Sequence, residues 1–320
     1  MKTNADASNN LTWNVAMPAL LVFLWSTGFI GAKFGLPYAE PFTFVSIRFA
    51  IAAAILTIFA WYSRAPWPRT AREIINTVIV GMALHGTYLT AVFVAIYNGT
   101  PAWVAALLTG LHPLLTALSA GWALDERIRP AQWLGFVLGL AGISLILWQS
   151  GPGNSGSALP TIGLIACTVG LLALTGGTLF QKRFGSATDL RTGQAIQQMA
   201  ALALVLPGAF LFETRVVQWT GEFIFALSWL TGILSIGMFT LLYTMIRRGA
   251  ASKVASLFYL VPPVVALESF FLFDEVVTLR QIAGMVLAGI GVALVTRTPK
   301  AVQVAQAAQA STKIPKETGQ

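Results

Sequence analysis

Charge and cysteine are what this sequence has least of. Only 10% of its 320 residues are charged and 56% are hydrophobic, whereas a soluble domain carries roughly 25% charged residues. One water-facing core cannot hide that much apolar side chain, so most of the surface must meet a lipid bilayer. The single cysteine, Cys167, excludes an internal disulfide and a cysteine-based zinc site. There are two histidines, His85 and His112, and no run of metal-ligand residues, so neither a metal nor a cofactor is expected. No Walker motif is present, so the chain does not hydrolyse ATP itself, and no soluble catalytic domain suggests an enzyme. The net charge of +8 comes from basic residues dispersed in short loops. It points to membrane orientation and not to nucleic acid.

What is present is an internal repeat. Val104-Ala105-Ala106-Leu107 recurs as Val254-Ala255-Ser256-Leu257 and Pro113 as Pro263, each 150 residues later. After a one-residue slip, Asp125-Glu126 recurs as Asp274-Glu275, and Gln132, Gly135 and Gly142 recur as Gln281, Gly284 and Gly291. Weaker echoes join Gly28, Lys33 and Arg48 to Gly177, Lys182 and Gln197. A long repeat decides architecture before any local pattern does.

A spanning helix needs about 20 mainly apolar residues. That measure predicts ten spans, at 14–34, 42–62, 74–95, 101–123, 132–149, 160–182, 192–212, 223–246, 253–273 and 280–297. The expected fold is therefore an all-α integral membrane protein of two five-helix repeats, residues 14–149 and 160–298. A Gly/Ser/Pro linker at 150–159 joins them, and residues 1–13 and 299–320 are expected to be disordered tails. The first apolar run is too long, and is followed by too many others, to be a signal peptide.

Five spans per half would enter the second half upside down. With both termini cytoplasmic, sixteen of the twenty Lys and Arg residues fall on the cytoplasmic side, and Lys33, Arg215 and Arg280 on the other. Basic residues favour cytoplasmic loops, which supports this orientation. Inverted repeats of this kind suit a secondary transporter, whose halves open a central site alternately to either side.

Pro113 and Pro263 lie about 18 and 15 Å into spans four and nine, near mid-membrane. Each removes a helix hydrogen bond, freeing the carbonyls of Thr109 and Tyr259, which are then candidates to line a cavity. The small residues Gly135, Gly139 and Gly142, with Gly284, Ala288 and Gly291 in the repeat, form stripes at helical spacing that let helices approach closely. Glu126 and Glu275 precede spans five and ten, where a carboxylate suits a helix amino terminus.

These residues carry a resemblance. Trp25-Ser26-Thr27-Gly28, Arg48, the paired prolines and the Glu-x5-Gln-x2-Gly pattern at 126–135 and 275–284 resemble the EamA-type transporters of the drug/metabolite transporter superfamily. The resemblance covers residues 14–298 and lies in the tandem arrangement more than in any one motif. It implies a ten-helix fold with a central cavity, in the cell's inner (plasma) membrane. It also implies export of small metabolites, amino acids or drug-like solutes. The second half departs from the pattern where Gln197 stands in place of arginine.

Ionisable residues inside a bilayer are costly, so each is a functional candidate. Arg48 and Glu268 lie at similar depth, about 9 and 8 Å below the outer edge of the core, and are candidates for an outer gate. His85 and His112, each about 16 Å deep on consecutive helices, are candidates to bind substrate or to pass a coupled proton. Tyr88, Thr109, Tyr259, Gln194, Gln197 and Trp25 complete the candidate substrate site, and Ser235 and Gln198 could share it. The alternative is an intramembrane enzyme, or a haem-binding electron-transfer bundle using His85 and His112. The paired prolines have no purpose in that reading.

Overall fold

The computed structural model describes residues 16–123, 130–148, 159–184, 188–238, 241, 260–275 and 277–296. Among them there is no β-strand, only an isolated bridge between Ala39 and Val217. The first half comprises α1 (Met17–Gly35), α2 (Pro41–Tyr62), α3 (Ala71–Gly81), a π-helical segment Met82–Thr87, α4 (Tyr88–Tyr97), α5 (Ala102–Thr109), α6 (His112–Ala123) and α7 (Pro130–Trp148). The second comprises α8 (Thr161–Phe184), α9 (Leu190–Phe212), α10 (Gly221–Ser228), a π-helical segment Trp229–Met238, α11 (Val261–Phe273) and α12 (Leu279–Thr296).

Five stretches are long and apolar enough to cross a membrane: Met17–Gly35, Pro41–Tyr62, Ala71–Tyr97, Thr161–Phe184 and Leu190–Phe212. The other expected spans are represented by shorter apolar helices. Expected span four is two helices, because α5 ends at Thr109 and α6 begins at His112. Pro113 cannot donate a backbone hydrogen bond and so sits in the first turn of a new helix, where none is needed. Pro262 and Pro263 likewise sit in the first turn of α11. The residues before Leu260 in span nine, Tyr259 included, lie outside the described residues, as do both tails, most of the linker and Glu126.

Helix starts follow local chemistry. Thr70 and Glu73 form a reciprocal capping box at α3, and the side chains of Asp189 and Thr220 accept backbone N–H groups at α9 and α10. The turn after α4 passes through Gly99 at φ 88°, a left-handed conformation that glycine adopts without strain.

The two halves interlock through repeat-equivalent contacts. α2 packs along α9, and α7 along α12. α1 lies against α10, α11 and the second π segment, while its repeat partner α8 lies against α3, α4, α5 and the first π segment. The two glycine stripes pack against each other. A Cβ on Gly284 would stand 2.6 Å from the carbonyl oxygen of Gly142, and one on Gly142 would stand 2.5 Å from that of Gly284. Only hydrogens at both positions allow such an approach.

Aromatic packing binds the centre. The buried ring of Phe44 lies 5.2 Å from that of Phe93 and 5.0 Å from that of Phe223. Outward faces are apolar: Ile58, Phe59, Trp61, Phe210, Leu211, Phe212 and Phe271 are all exposed, as expected where lipid is the solvent.

One end is tied by reciprocal carboxylates. Glu213 accepts the backbone N–H groups of Phe42 and Thr43 and the Thr43 hydroxyl, each at 2.7 Å, at the amino terminus of α2. Glu40 accepts the backbone N–H and hydroxyl of Thr214 at 2.7 and 2.6 Å. The N–H of Gln218 donates to the carbonyl of Tyr38 alongside. Each half thus holds the other's connecting segment.

Candidate functional site

A cavity of about 140 Å³ lies between the halves. Trp25 of α1, Arg48 of α2, His85 of the first π segment and Tyr88 of α4 line it from the first half. Gln194 and Gln197 of α9, with Leu234, Ser235 and Met238 of the second π segment, line it from the other. Phe29, Leu84, Leu89, Val92, Phe93, Leu174 and Gln181 fill in the wall, which is mostly apolar. A mostly apolar concavity with a few converging polar groups is the usual form of a small-molecule site.

The π-helical segments position this site. A π turn takes one residue more than an α turn, and such turns are rare and frequent at functional sites. Here each half has one, and both present residues to the same cavity. The glycines that frame them share a five-residue spacing, Gly81 with Gly86 and Gly232 with Gly237. On the first segment they allow close approach to α9: a Cβ on Gly81 would stand 2.6 Å from the carbonyl oxygen of Gln197, and one on Gly86 2.9 Å from Leu204. Neither π segment was expected from sequence, and the Gly-x4-Gly spacing does not single them out, because Gly284 and Gly289 repeat it inside α-helical α12.

His85 is buried and its Nε2 lies 3.2 Å from Oε1 of Gln197, which gives this pair the ring as donor. Tyr88, also buried, is within hydrogen-bonding reach of Thr109 and Trp25. Thr109 itself sits just behind the wall, its hydroxyl donating to the Ala105 carbonyl at 2.7 Å. Arg48 is 6% exposed, and its Nε is buried without a hydrogen-bond partner. No carboxylate lies within ion-pair distance of it among the described residues.

The structure separates other candidates from this group. Arg48 and Glu268 are not paired. Ser26 of α1 stands at the carboxylate of Glu268, with the hydroxyl 2.7 Å from Oε1, while Oε2 is buried without a partner. Equal depth on two helices does not determine which faces meet. Lys33 instead pairs with Glu275 and lies over the Phe273 ring.

His112 does not line the cavity among the described residues. Its ring hydrogen-bonds the backbone of Thr109, whose carbonyl is the acceptor that Pro113 leaves free. Pro113 is absent from the wall too, and Pro263 lines a separate apolar groove between α11 and α12. No group of three or more metal-ligating side chains occurs among the described residues.

A helical bundle of two interlocked repeats around one mostly apolar cavity with a few polar groups is an architecture that suits a membrane carrier. The EamA-like transporter family matches residues 12–148 and again 161–297, so the chain belongs to that family and is a multi-pass membrane protein. It is 26% identical over 292 residues to the uncharacterized transporter YvbV of Bacillus subtilis (strain 168), covering 90% of this chain and 92% of that protein. It is 25% identical to the uncharacterized inner membrane transporter YedA of Escherichia coli (strain K12), over 77% of this chain and 78% of YedA. A protein of that same strain named as a probable amino-acid metabolite efflux pump is 24% identical, with 84% and 89% covered. A solved crystal structure, 22% identical with a TM-score of 0.60, covers 92% of this chain and 98% of its own and shares the fold.

Proposed function

We propose that this chain exports small metabolites, of amino-acid or drug-like size, across the inner membrane by alternating access around the cavity between its halves. The observation that carries this reading is the pair of π-helical segments, one per half, facing one cavity. A site built from matching interruptions in two repeats is the form a rocking carrier uses. The similarity to a named inner membrane transporter and to a named amino-acid metabolite efflux pump supports the membrane and the cargo size.

In this reading all ten spans cross the bilayer, the repeats occupy residues 14–149 and 160–298, and both termini are cytoplasmic. Trp25, Arg48, His85, Tyr88, Gln194 and Gln197 contact the cargo. His85 is the candidate for proton coupling, since histidine changes charge most readily near neutral pH. The interlocked segments at Glu40 and Glu213 form the outer closure.

The test is solute uptake into proteoliposomes, screened over amino acids, organic anions and drug-like cations, with and without a pH gradient. Saturable, protein-dependent flux of any of these supports the reading, and its absence across the whole screen overturns it. Reporters fused after Ser63 and after Arg248 should be cytoplasmic and one at Asn154 should not. A cytoplasmic Asn154 breaks the inverted arrangement.

A further inference from the structure

Among the described residues the cavity wall holds one fixed charge, and it is positive. Arg48 is buried in its wall, with Nε unpartnered. Buried polar groups in folded proteins almost always have a partner, so an orphan on a guanidinium facing a cavity calls for an explanation. A buried cation is tolerated when an anion meets it.

The described residues supply no such anion. The chain has twelve acidic residues, of which Glu40, Glu73, Asp189, Glu213 and Glu222 stand at helix starts or ends. Asp274 and Glu275 follow α11, and Asp6, Asp125, Glu126 and Glu317 lie outside the expected spans. Glu268 is the acid inside a span, and it is bound to Ser26 and absent from the cavity wall. No Asp or Glu lines the cavity among the described residues. Residues 242–259, which are outside the described set, contain none in sequence either.

We infer that the cargo brings the missing charge: the site takes an organic monoanion, a carboxylate or sulfonate on an apolar or aromatic body, with Arg48 as its anchor. This rests on the transport reading above and narrows it. Guanidinium offers a planar fork of donors that matches a carboxylate or sulfonate face, and such charge-assisted bonds are among the strongest in proteins. Phe29, Phe93, Leu89 and Val92 supply apolar wall for the body of the molecule, and Trp25 and Tyr88 supply aromatic faces. An amine would enter beside a like charge with no carboxylate to receive it. A zwitterion would satisfy Arg48 but leave its ammonium only amide oxygens and ring faces in exchange for water.

Three probes share one skeleton and differ in charge: 3-phenylpropionate, phenylalanine and phenethylamine. Their binding is measured by calorimetry on the full chain in nanodiscs. Flux is followed with 2-phenylethanesulfonate, which cannot cross the bilayer as a neutral acid.

The expected order of affinity is acid, then zwitterion, then amine. Arg48→Gln should weaken the acid about 10- to 100-fold and leave the amine unchanged or tighter, while Arg48→Lys, which keeps the charge but not the planar fork, should fall between the parent and Arg48→Gln. Gln197→Glu, which leaves Arg48 in place, should weaken the acid and admit the amine. It serves as the decisive variant where Arg48→Gln does not fold. Tightest binding of the amine or zwitterion overturns the inference, as does equal weakening of all three probes by Arg48→Gln, or no effect of Gln197→Glu on any. Transport of amino acids or cations without anions overturns this inference alone and leaves the carrier reading standing. Absence of flux for every solute overturns the carrier reading itself.

Discussion

The two halves bring the same positions to the cavity and different chemistry. Arg48 of the first half stands where the repeat places Gln197 in the second, and both are in the wall. At the same repeat spacings, Trp25 faces Leu174, Tyr88 matches Met238 and His85 matches Ser235, and all six line the same space. Everything cationic, titratable or aromatic in these pairs belongs to the first half. A rocking carrier needs a symmetric scaffold, because each half must be able to take up the other's conformation. In the carrier reading proposed above, the difference in side chains is where one end of an asymmetric cargo is told from the other.

The largest expected effect comes from exchanging that difference. In Arg48→Gln the anionic probe should bind about 10- to 100-fold more weakly, and adding Gln197→Arg should restore part of its binding, because the positions are related by the repeat and share one wall. Restoration should be incomplete, since Gln197 also holds His85 at 3.2 Å. Binding calorimetry on the single and double variants measures this. A double variant no better than Arg48→Gln would show that the two positions are not interchangeable.

A second contrast lies in the π segments. A methyl group on Gly81 meets the backbone of Gln197, while one on Gly232 meets nothing within 4 Å among the described residues. Backbone cannot move aside as a side-chain tip can. Gly81→Ala should therefore displace α9 at the site and reduce flux at least about tenfold, the scale of a misplaced site residue. Gly232→Ala should leave flux within about twofold, with Ala in fact the better helix former. Flux assays at matched protein density would decide, and equal loss in both variants would remove the distinction.

These contrasts also show which parts of the architecture were legible in sequence. The repeat, the apolar stretches and the glycine stripes were readable because each is a one-dimensional pattern with a direct physical meaning. Trp25, Arg48, His85, Tyr88, Gln194 and Gln197, singled out for their place deep in apolar stretches, all lie in the wall of one cavity. Azimuth was not readable. Depth follows from about 1.5 Å per residue, but one extra residue in a π turn rotates everything beyond it by about 100°. Neither α2 nor α11 contains a π turn, so for Arg48 and Glu268 what depth left open was simply which faces meet, and the Glu268 carboxylate meets Ser26. His112 was misjudged for another reason: Pro113 frees a carbonyl one turn earlier, and the ring beside it is used to satisfy that carbonyl.

Where the halves are alike, they should fail alike. Gly142 and Gly284 each press on the other's backbone, so Gly142→Leu and Gly284→Leu should be equally harmful. Overpacking of this kind costs about 1–3 kcal/mol. Both variants should lose several degrees of melting temperature in detergent, and a large difference between them would mean that the seam is not shared evenly.

The smallest effects belong to the reciprocal carboxylates, and they too should be unequal. Glu213 accepts three hydrogen bonds and sits at the amino terminus of α2, where a carboxylate also meets the helix dipole. Glu213→Gln keeps the shape but removes the charge and one acceptor, and should cost about 1 kcal/mol, as other lost helix caps do. Glu40 accepts from Thr214 and from the backbone of Arg215 and is partly open to solvent, so Glu40→Gln should cost about 0.5 kcal/mol or less. Its pH dependence has a definite sign. The Thr214 hydroxyl, donating to the carboxylate, holds Glu40 below its ordinary value of 4.5. A carboxyl lowered on folding contributes stability that is present above its unfolded pKa and is lost as pH falls through the folded one. The gap in stability between the parent chain and Glu40→Gln should therefore be constant at neutral pH and shrink below pH 4.5. Thermal unfolding of both proteins across that range is the measurement. A gap that widens on acidification would show that the Glu40 contact with Thr214 does not favour the ionised form.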